Sequence, residues 1–136
     1  MIDPRVDAWA RTLVTYSTRV QPGDVVAIEG DVDGRPLLRA IYRETLRAGG
    51  LPVIVPRFAE LQELGSDEQL AWISPVDRFS RGEADVFIRV MAEQNTKALT
   101  GVDVERQMLR KRSMNPLLQT MLQRSADEEL RWVLTL

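Results

Sequence analysis

Three carboxylates lie close together in the segment 29–34, which reads EGDVDG and follows the apolar run Val25 to Ile28. The turn between a strand and a helix is where α/β proteins commonly bind phosphate. This segment has neither the three spaced glycines of a dinucleotide fingerprint nor the lysine of a P-loop, and its acids would repel a pyrophosphate. Carboxylates can instead hold Ca²⁺ or Mg²⁺, but the ligand spacing of a calcium loop is missing. We therefore interpret the segment as a tight turn and a helix cap.

A second polar group consists of Glu93, Asn95 and Thr96. These residues follow the predicted third strand, residues 84–90, at its carboxyl end, where ligands bind to open parallel sheets. Hydrogen bonds that only shape the loop are the alternative role for such side chains. We predict that the three residues face a cleft in the complete protein.

The sequence contains no histidine and no cysteine. Histidine is the commonest general base near neutral pH and the commonest transition-metal ligand, and cysteine supplies thiol nucleophiles and thiolate zinc sites. Most hydrolytic and metal chemistries therefore lack a carrier among these residues. We assign no catalytic residue, no metal ligand and no cofactor to residues 1–136.

Charge and hydropathy exclude two classes of partner. The formal net charge is -2, and the longest basic run, Arg110 to Arg112, has too few charges to bind nucleic acid, so we interpret it as a solvated face. The acidic run 127–129 is interpreted as a solvated cap or turn. No apolar stretch approaches 18 residues, and the start of the chain lacks the pattern of a signal peptide. We expect no membrane partner and a cytoplasmic location.

The elements that would position the polar groups alternate between helices and strands. Asp3-Pro4 begins an amphipathic helix, Asp33 to Pro36 begin a second helix, and Gly49-Gly50 close it. Four apolar segments have the pattern of strands, and they span residues 25–28, 51–55, 84–90 and 130–136. In the third strand, Val86, Ile88 and Val90 share one face and Phe87 lies on the other. Pro52 cannot donate to a ladder, which predicts an end or edge position for it.

Helix signals also occur between the second and fourth strands. Ser66 and Ser74 each begin a short helix, and the first of them starts a capping box with Gln69. Asp103 is predicted to cap a helix that Asn115-Pro116 interrupts and restarts. These alternations predict one α/β domain over residues 1–136, with three layers and a mostly parallel, Rossmann-like sheet of about four strands without a nucleotide motif. Its core is predicted to include three tryptophans, which are Trp9, Trp72 and Trp132.

Six stretches, in this order and spacing, resemble the amino-terminal third of bacterial metalloaminopeptidases of the aminopeptidase T and aminopeptidase S family. Each stretch alone is a weak signal, but their order and spacing together are specific, and the resemblance extends over essentially the whole chain. The stretches are residues 20–24 (VQPGD), 40–44 with 48–50 (AIYRE with AGG), 66–70 (SDEQL), 93–96 (EQNT), 100–103 (TGVD) and 130–134 (LRWVL). The segment between Phe58 and Ser66 is shorter than the family pattern.

The resemblance implies a parent enzyme roughly three times longer, with two domains. Its second domain would hold two divalent metal ions that activate water for removal of amino-terminal residues from peptides. The first domain would frame the substrate cleft and support a homodimer. None of the metal-ligating positions falls in residues 1–136, so the fragment alone is expected to be inactive. An apolar strand that runs into the last residue agrees with a truncated chain.

An alternative from a different class is a freestanding α/β module that binds a small ligand or a protein at the loops after its strands. Fold analogy alone does not decide between the two functions. Cleavage of an aminoacyl reporter by a longer protein, and not by this chain, would favour the aminopeptidase.

Overall fold

The computed structural model describes residues 3–91, 101 and 103–135. Its four strands are β1 (Val25–Asp31), β2 (Leu51–Arg57), β3 (Val86–Val90) and β4 (Arg131–Thr135). Its α-helices are α1 (Pro4–Arg11), α2 (Arg35–Arg47), α3 (Glu60–Leu64), α4 (Asp67–Ala71), α5 (Pro75–Gly82) and α6 (Val104–Ala126). A π-helical stretch, Thr12–Ser17, continues α1, and a 3-10 turn, Val32–Gly34, precedes α2.

The four strands form one sheet in the order β2-β1-β3-β4, and all three strand pairs are parallel. The expected α/β class, parallel sheet and strand number are therefore confirmed. Strand β2 lies at an edge, so the position of Pro52 within it is also as predicted. The edge is where a residue without an N–H costs the sheet least.

Both faces of the sheet are covered. On one face, Val26, Ile28, Val86, Ile88 and Val90 pack against α1, the π-helical stretch and α2. On the other face, called the α5/α6 face below, a smaller cluster joins strand, loop and helix residues, which are Ala27, Ala84, Phe87, Met121 and Leu130. The two faces of β3 are thus divided as the alternation predicted. Helix, sheet and helix form the three expected layers.

Four helix starts follow the capping signals in the sequence, whereas α2 begins after Gly34 without the side-chain cap expected in the segment 29–34. Asp3 accepts a hydrogen bond from the backbone N–H of Arg5, and Ser74 accepts one from that of Val76. Ser66 and Gln69 form the reciprocal capping box. Helix α3 has no such signal and was not predicted; it occupies the short segment between Phe58 and Ser66. Among the helices that the structure describes, none is both long and apolar enough to cross a membrane.

The prediction that all three tryptophans lie in the core is wrong for two of them. Trp9 is 40% exposed and Trp72 is 63% exposed, whereas Trp132 is partly buried against the α5/α6 face. In each exposed case a smaller neighbour takes the inward position, and these neighbours are Ala10 and Leu70, both fully buried. An aromatic residue next to an apolar stripe does not have to belong to it.

The predicted break at Asn115-Pro116 is also wrong, because α6 is one helix of 23 residues with Pro116 inside it. Both halves of α6 are held by tertiary contacts. Arg110 in the first half donates to carbonyl oxygens of Leu70 and Trp72, and Arg124 in the second half donates to those of Arg81 and Ala84. These contacts outweigh the local cost of a proline in a helix interior.

Replacement of Pro116 by alanine is therefore expected to stabilise the chain by about 1–3 kcal/mol, because it restores one helical hydrogen bond and removes a steric clash. Urea unfolding followed by circular dichroism measures the change. The matched control is Pro36→Ala, in the first turn of α2, where the missing N–H has no helical acceptor and the change should be small. Equal effects of the two substitutions would contradict a strained helix interior at Pro116.

Candidate functional site

The predicted cleft residues Glu93, Asn95 and Thr96 lie outside the residues that the structure describes. In the sequence, they follow shortly after β3, which ends at Val90. Their proposed position at a cleft therefore stays a prediction. The described residues show a different concentration of polar groups, on the α5/α6 face at the carboxyl ends of the strands.

Glu29 is the centre of this concentration. It lies in β1 between two neighbouring strands, opposite Val55 and Arg89, and it is fully buried. Its Oε1 lies 2.6 Å from Nε of Arg57, and its Oε2 lies 3.4 Å from Nη2 of Arg81 and 3.9 Å from Nε of Arg89. Three cations thus surround one buried carboxylate.

Asp77 is the second buried carboxylate. Its Oδ1 accepts hydrogen bonds from Nη1 of Arg57 at 3.1 Å and from Nη1 of Arg81 at 3.3 Å. Its Oδ2 lies 3.5 Å from Nη2 of Arg110. Asp77 and Arg81 are one turn apart on α5, so the helix presents both to the sheet. We call these two carboxylates and the four arginines around them the buried ion network.

Arg81 is fixed from a second direction. Its guanidinium carbon lies 4.9 Å from the centroid of the Phe87 ring on the neighbouring strand, which is a cation–π contact. The side chain of Arg81 is only 7% exposed. A buried guanidinium held by two carboxylates and a ring has little freedom to reorient, so the network has a defined geometry.

Burial perturbs two of the cations. Burial lowers the pKa of Arg89, while Glu29 acts in the opposite direction and the cations Arg57 and Arg81 lower the pKa further. Burial likewise lowers the pKa of Arg110, and Asp77 opposes that change. Both arginines remain charged near neutral pH, since a guanidinium starts from a very high pKa. The shifts reflect the partial removal of both guanidinium groups from water.

A cavity of about 610 Å³ opens over the network. The cationic side chains that line it are those of Arg57, Arg81, Arg89, Arg110 and Lys111. Three amides, those of Gln62, Gln107 and Asn115, add polar groups, and Phe87 and Met121 are among its apolar lining. We call it the arginine cavity. It combines a strongly cationic wall with an apolar one, and it is more polar than most small-molecule sites.

The interpretation of residues 110–112 as a solvated face needs correction. Lys111 and Arg112 are exposed as expected, but Arg110 is only 8% exposed. Its position one turn after Arg106 explains this, because both reach inward from α6 towards the ends of short helices. Arg106 donates to the carbonyl oxygens of Gln62 and Gly65 around the end of α3. Cations at helix carboxyl ends satisfy free carbonyls and oppose the helix dipole.

The interpretation of segment 29–34 is correct in part. Residues 32–34 form the expected turn, and Asp31 accepts a hydrogen bond from the backbone N–H of Asp33. Glu29, however, belongs to the strand and is buried in the ion network. Gly30 packs closely under Leu38, since a Cβ there would lie 2.8 Å from its Cδ2 and the leucine side chain would have to shift. The interpretation as a turn is wrong for Glu29, because arginines distant in the sequence neutralise its charge in place of solvent.

Sequence reasoning did not single out Arg57, Asp77, Arg81 or Arg89. A signal was present at two positions: Glu29 continues the apolar run Val25 to Ile28, which is typical of a strand covered on both faces, and Arg89 interrupts the third strand. A charge inside a covered strand requires a buried partner. The spacing of Asp77 and Arg81 is a further hint, although such pairs also occur on exposed helices.

The described residues do not fit a two-metal centre. They contain no group of three or more histidine, cysteine, aspartate or glutamate side chains placed to hold an ion. The two buried carboxylates are each occupied by several arginines, which repel a divalent cation and compete for the same oxygens. No metal-dependent step can be derived from the residues described.

The fold and the site define an α/β domain with a parallel sheet, a buried ion network and a cationic cavity at the carboxyl ends of its strands. The sequence matches the family described as thermophilic metalloprotease (M29) over residues 2–136, and the chain belongs to that family. No curated protein matches it.

A solved structure, wild-type AmpT from Thermus thermophilus, is similar in fold, with a TM-score of 0.75 and 16% sequence identity. The similarity covers 99% of this chain and 36% of that one. The chain therefore spans little more than a third of the length of that protein. At this level of identity, the likeness establishes the shared fold.

Proposed function

We propose that the chain is the amino-terminal structural domain of a metal-dependent aminopeptidase, where it frames the substrate cleft and supports a homodimer in the cytoplasm. The parent enzyme would remove amino-terminal residues from peptides with two divalent metal ions. Those ions would be held by residues outside positions 1–136, in a second domain. The fragment by itself would be inactive.

One observation carries this proposal: the match to a metalloprotease family extends over residues 2–136, yet the described residues hold no group suited to a metal. A family member needs its metal ligands somewhere. A second domain agrees with the length of AmpT, since the shared fold occupies only 36% of that chain.

The framing role is supported by the position of the polar residues. The arginine cavity lies at the carboxyl ends of the strands, the edge where parallel sheets bind ligands. In the sequence, Glu93, Asn95 and Thr96 come shortly after the carboxyl end of β3. Alanine substitution of these three residues in the complete enzyme is expected to raise KM more than it lowers kcat. Unchanged kinetics would count against a cleft position.

The dimer role is supported by the surface of β2. This edge strand leaves Leu51, Val53 and Ile54 between 39% and 55% exposed. An exposed apolar edge is a common place for a subunit contact. Sedimentation of the complete protein would test this part of the proposal, and a monomer at micromolar concentration would contradict it.

The activity test compares two proteins. The chain of 136 residues and a version extended by the second domain are each incubated with an aminoacyl reporter and Co²⁺, Zn²⁺ or Mn²⁺. The longer protein is expected to cleave the reporter, and the chain is not. Cleavage by the chain would refute the division between domains. Failure of the longer protein with all three ions would favour the alternative, a freestanding module that binds a ligand or a protein.

A further inference from the structure

The arginine cavity concentrates positive charge in a chain whose formal net charge is -2. Five cationic side chains line the cavity, and two buried carboxylates, those of Glu29 and Asp77, lie beneath them. Within the described residues, the site therefore has an excess of three positive charges. Neutralisation by Glu29 and Asp77 is incomplete, and an excess of this kind attracts anions.

The cationic side chains of the cavity differ in their ion-pair partners and in how exposed they are. Arg81 and Arg110 are held in place by carboxylates and carbonyl oxygens, and their side chains are at most 10% exposed. Arg57 and Arg89 are more open, with side chains 28% and 37% exposed, but they differ in how they are paired. Arg57 pairs with Glu29 at 2.6 Å and with Asp77 at 3.1 Å, whereas Arg89 approaches Glu29 no closer than 3.9 Å. Arg89 and Lys111 therefore present donors to the cavity, while Arg57 and the inner pair fix the wall behind them.

One side-chain amide in the lining also has a hydrogen-bond acceptor without a partner among the described residues. Oε1 of Gln62 is buried and has no hydrogen-bond partner among the described residues. A buried acceptor without a partner is costly, and a ligand with a donor next to its anionic group would satisfy it. Rotation of the amide by half a turn would instead offer its NH₂ group to an anion.

We propose that the arginine cavity binds an oxyanion, a carboxylate or a phosphate, carried by a small molecule with an apolar part. Arg89 and Lys111 contact the oxyanion directly, beside Arg57, which stays paired with Glu29 and Asp77. A guanidinium offers two parallel N–H donors that match the oxygens of either group. The apolar part of the ligand lies against the exposed apolar lining, in which Leu118 and Leu134 are 44% and 46% exposed. This site is independent of the metallopeptidase proposal, because it rests on the residues described here.

Isothermal titration calorimetry of the chain at low ionic strength tests the proposal. The probes are inorganic phosphate, N-acetyl-leucine, and N-acetyl-leucinamide, which is the neutral match of the second probe. At least one of the two anions is expected to bind, and the amide is not. Binding of phosphate alone identifies a phosphate site, and binding of N-acetyl-leucine identifies a carboxylate site. No heat with either anion, or equal affinity for acid and amide, would overturn the proposal.

Two substitutions place the binding in the cavity. Arg89→Met is expected to weaken binding of the anion about tenfold or more, because a charge-assisted pair of hydrogen bonds is lost. The control is Arg112→Met, which removes an equal charge from an exposed position outside the cavity. Lys111→Met is the second test, should the Arg89 variant fail to fold, and it should weaken binding at least threefold. Unchanged affinity in the folded cavity variants would overturn the assignment.

Discussion

Replacement of Glu29 by glutamine is expected to destabilise the chain by about 3–5 kcal/mol. Glutamine has nearly the same shape as glutamate, so the packing of β1 changes little. The negative charge disappears, however, so Arg57, Arg81 and Arg89 lose one of the two buried carboxylates, and Asp77 remains paired with Arg57 and Arg81. A buried charge without its partner costs far more than the intact pair contributes, because desolvation is no longer offset.

Urea unfolding of the Glu29→Gln variant, followed by circular dichroism, measures this effect. Glu129→Gln is the matched control, because Glu129 also pairs with an arginine, Arg124 at 3.8 Å, but is 61% exposed. Exposed pairs contribute little, and the control should change stability by less than about 1 kcal/mol. Similar values for the two variants would show that the arginines around Glu29 escape to solvent, and would contradict a buried network.

Removal of divalent metal is expected to have the second large effect, and only in a longer protein. Under the proposed function, chelation should lower the activity of the extended protein by at least about a thousandfold, because the metals would activate the attacking water and polarise the scissile carbonyl. The unfolding midpoint of the chain of 136 residues should be the same with chelator, without it, and with added Zn²⁺. A ligand that binds the folded state would raise that midpoint.

Two results would contradict this second prediction. One is full activity of the extended enzyme after exhaustive chelation, which would refute the metallopeptidase assignment. The other is a rise in the unfolding midpoint of the chain with stoichiometric Zn²⁺, which would show a metal site among these residues. The two outcomes are independent, so each part of the proposed function can fail separately.

Much of the fold could be predicted because its causes are local. The run from Val25 to Ile28 must be covered on both faces, and Pro52 must avoid a ladder hydrogen bond, which places β2 at an edge. The capping residues Asp3, Ser66 and Ser74 each accept a hydrogen bond from a backbone N–H only two or three residues further along the chain. Local chemistry of this kind is visible in a single sequence.

Other features depend on contacts between distant residues. Pro116 stays inside α6 because Arg110 and Arg124 tie both halves of that helix to carbonyls about 40 residues away. Arg81 meets Glu29 across 52 positions, and no local pattern indicates that pair. A charged residue is most often solvated, so the buried ion network and the arginine cavity were not predicted.

The predicted site and the observed cavity are different sets of residues. The cleft position of Glu93, Asn95 and Thr96 was predicted from one rule, that ligands bind where parallel strands end. The arginine cavity, found from the described side chains, obeys the same rule. The sequence could indicate the edge of the sheet, but not which side chains would reach it from α5 and α6.

The metal content of the purified chain tests most directly whether these residues supply metal ligands. Elemental analysis by mass spectrometry would compare the chain of 136 residues with the protein extended by its second domain, after exchange into metal-free buffer. We predict about two divalent ions per extended molecule and essentially none per chain. Two transition-metal ions bound to the chain at full occupancy would contradict the account.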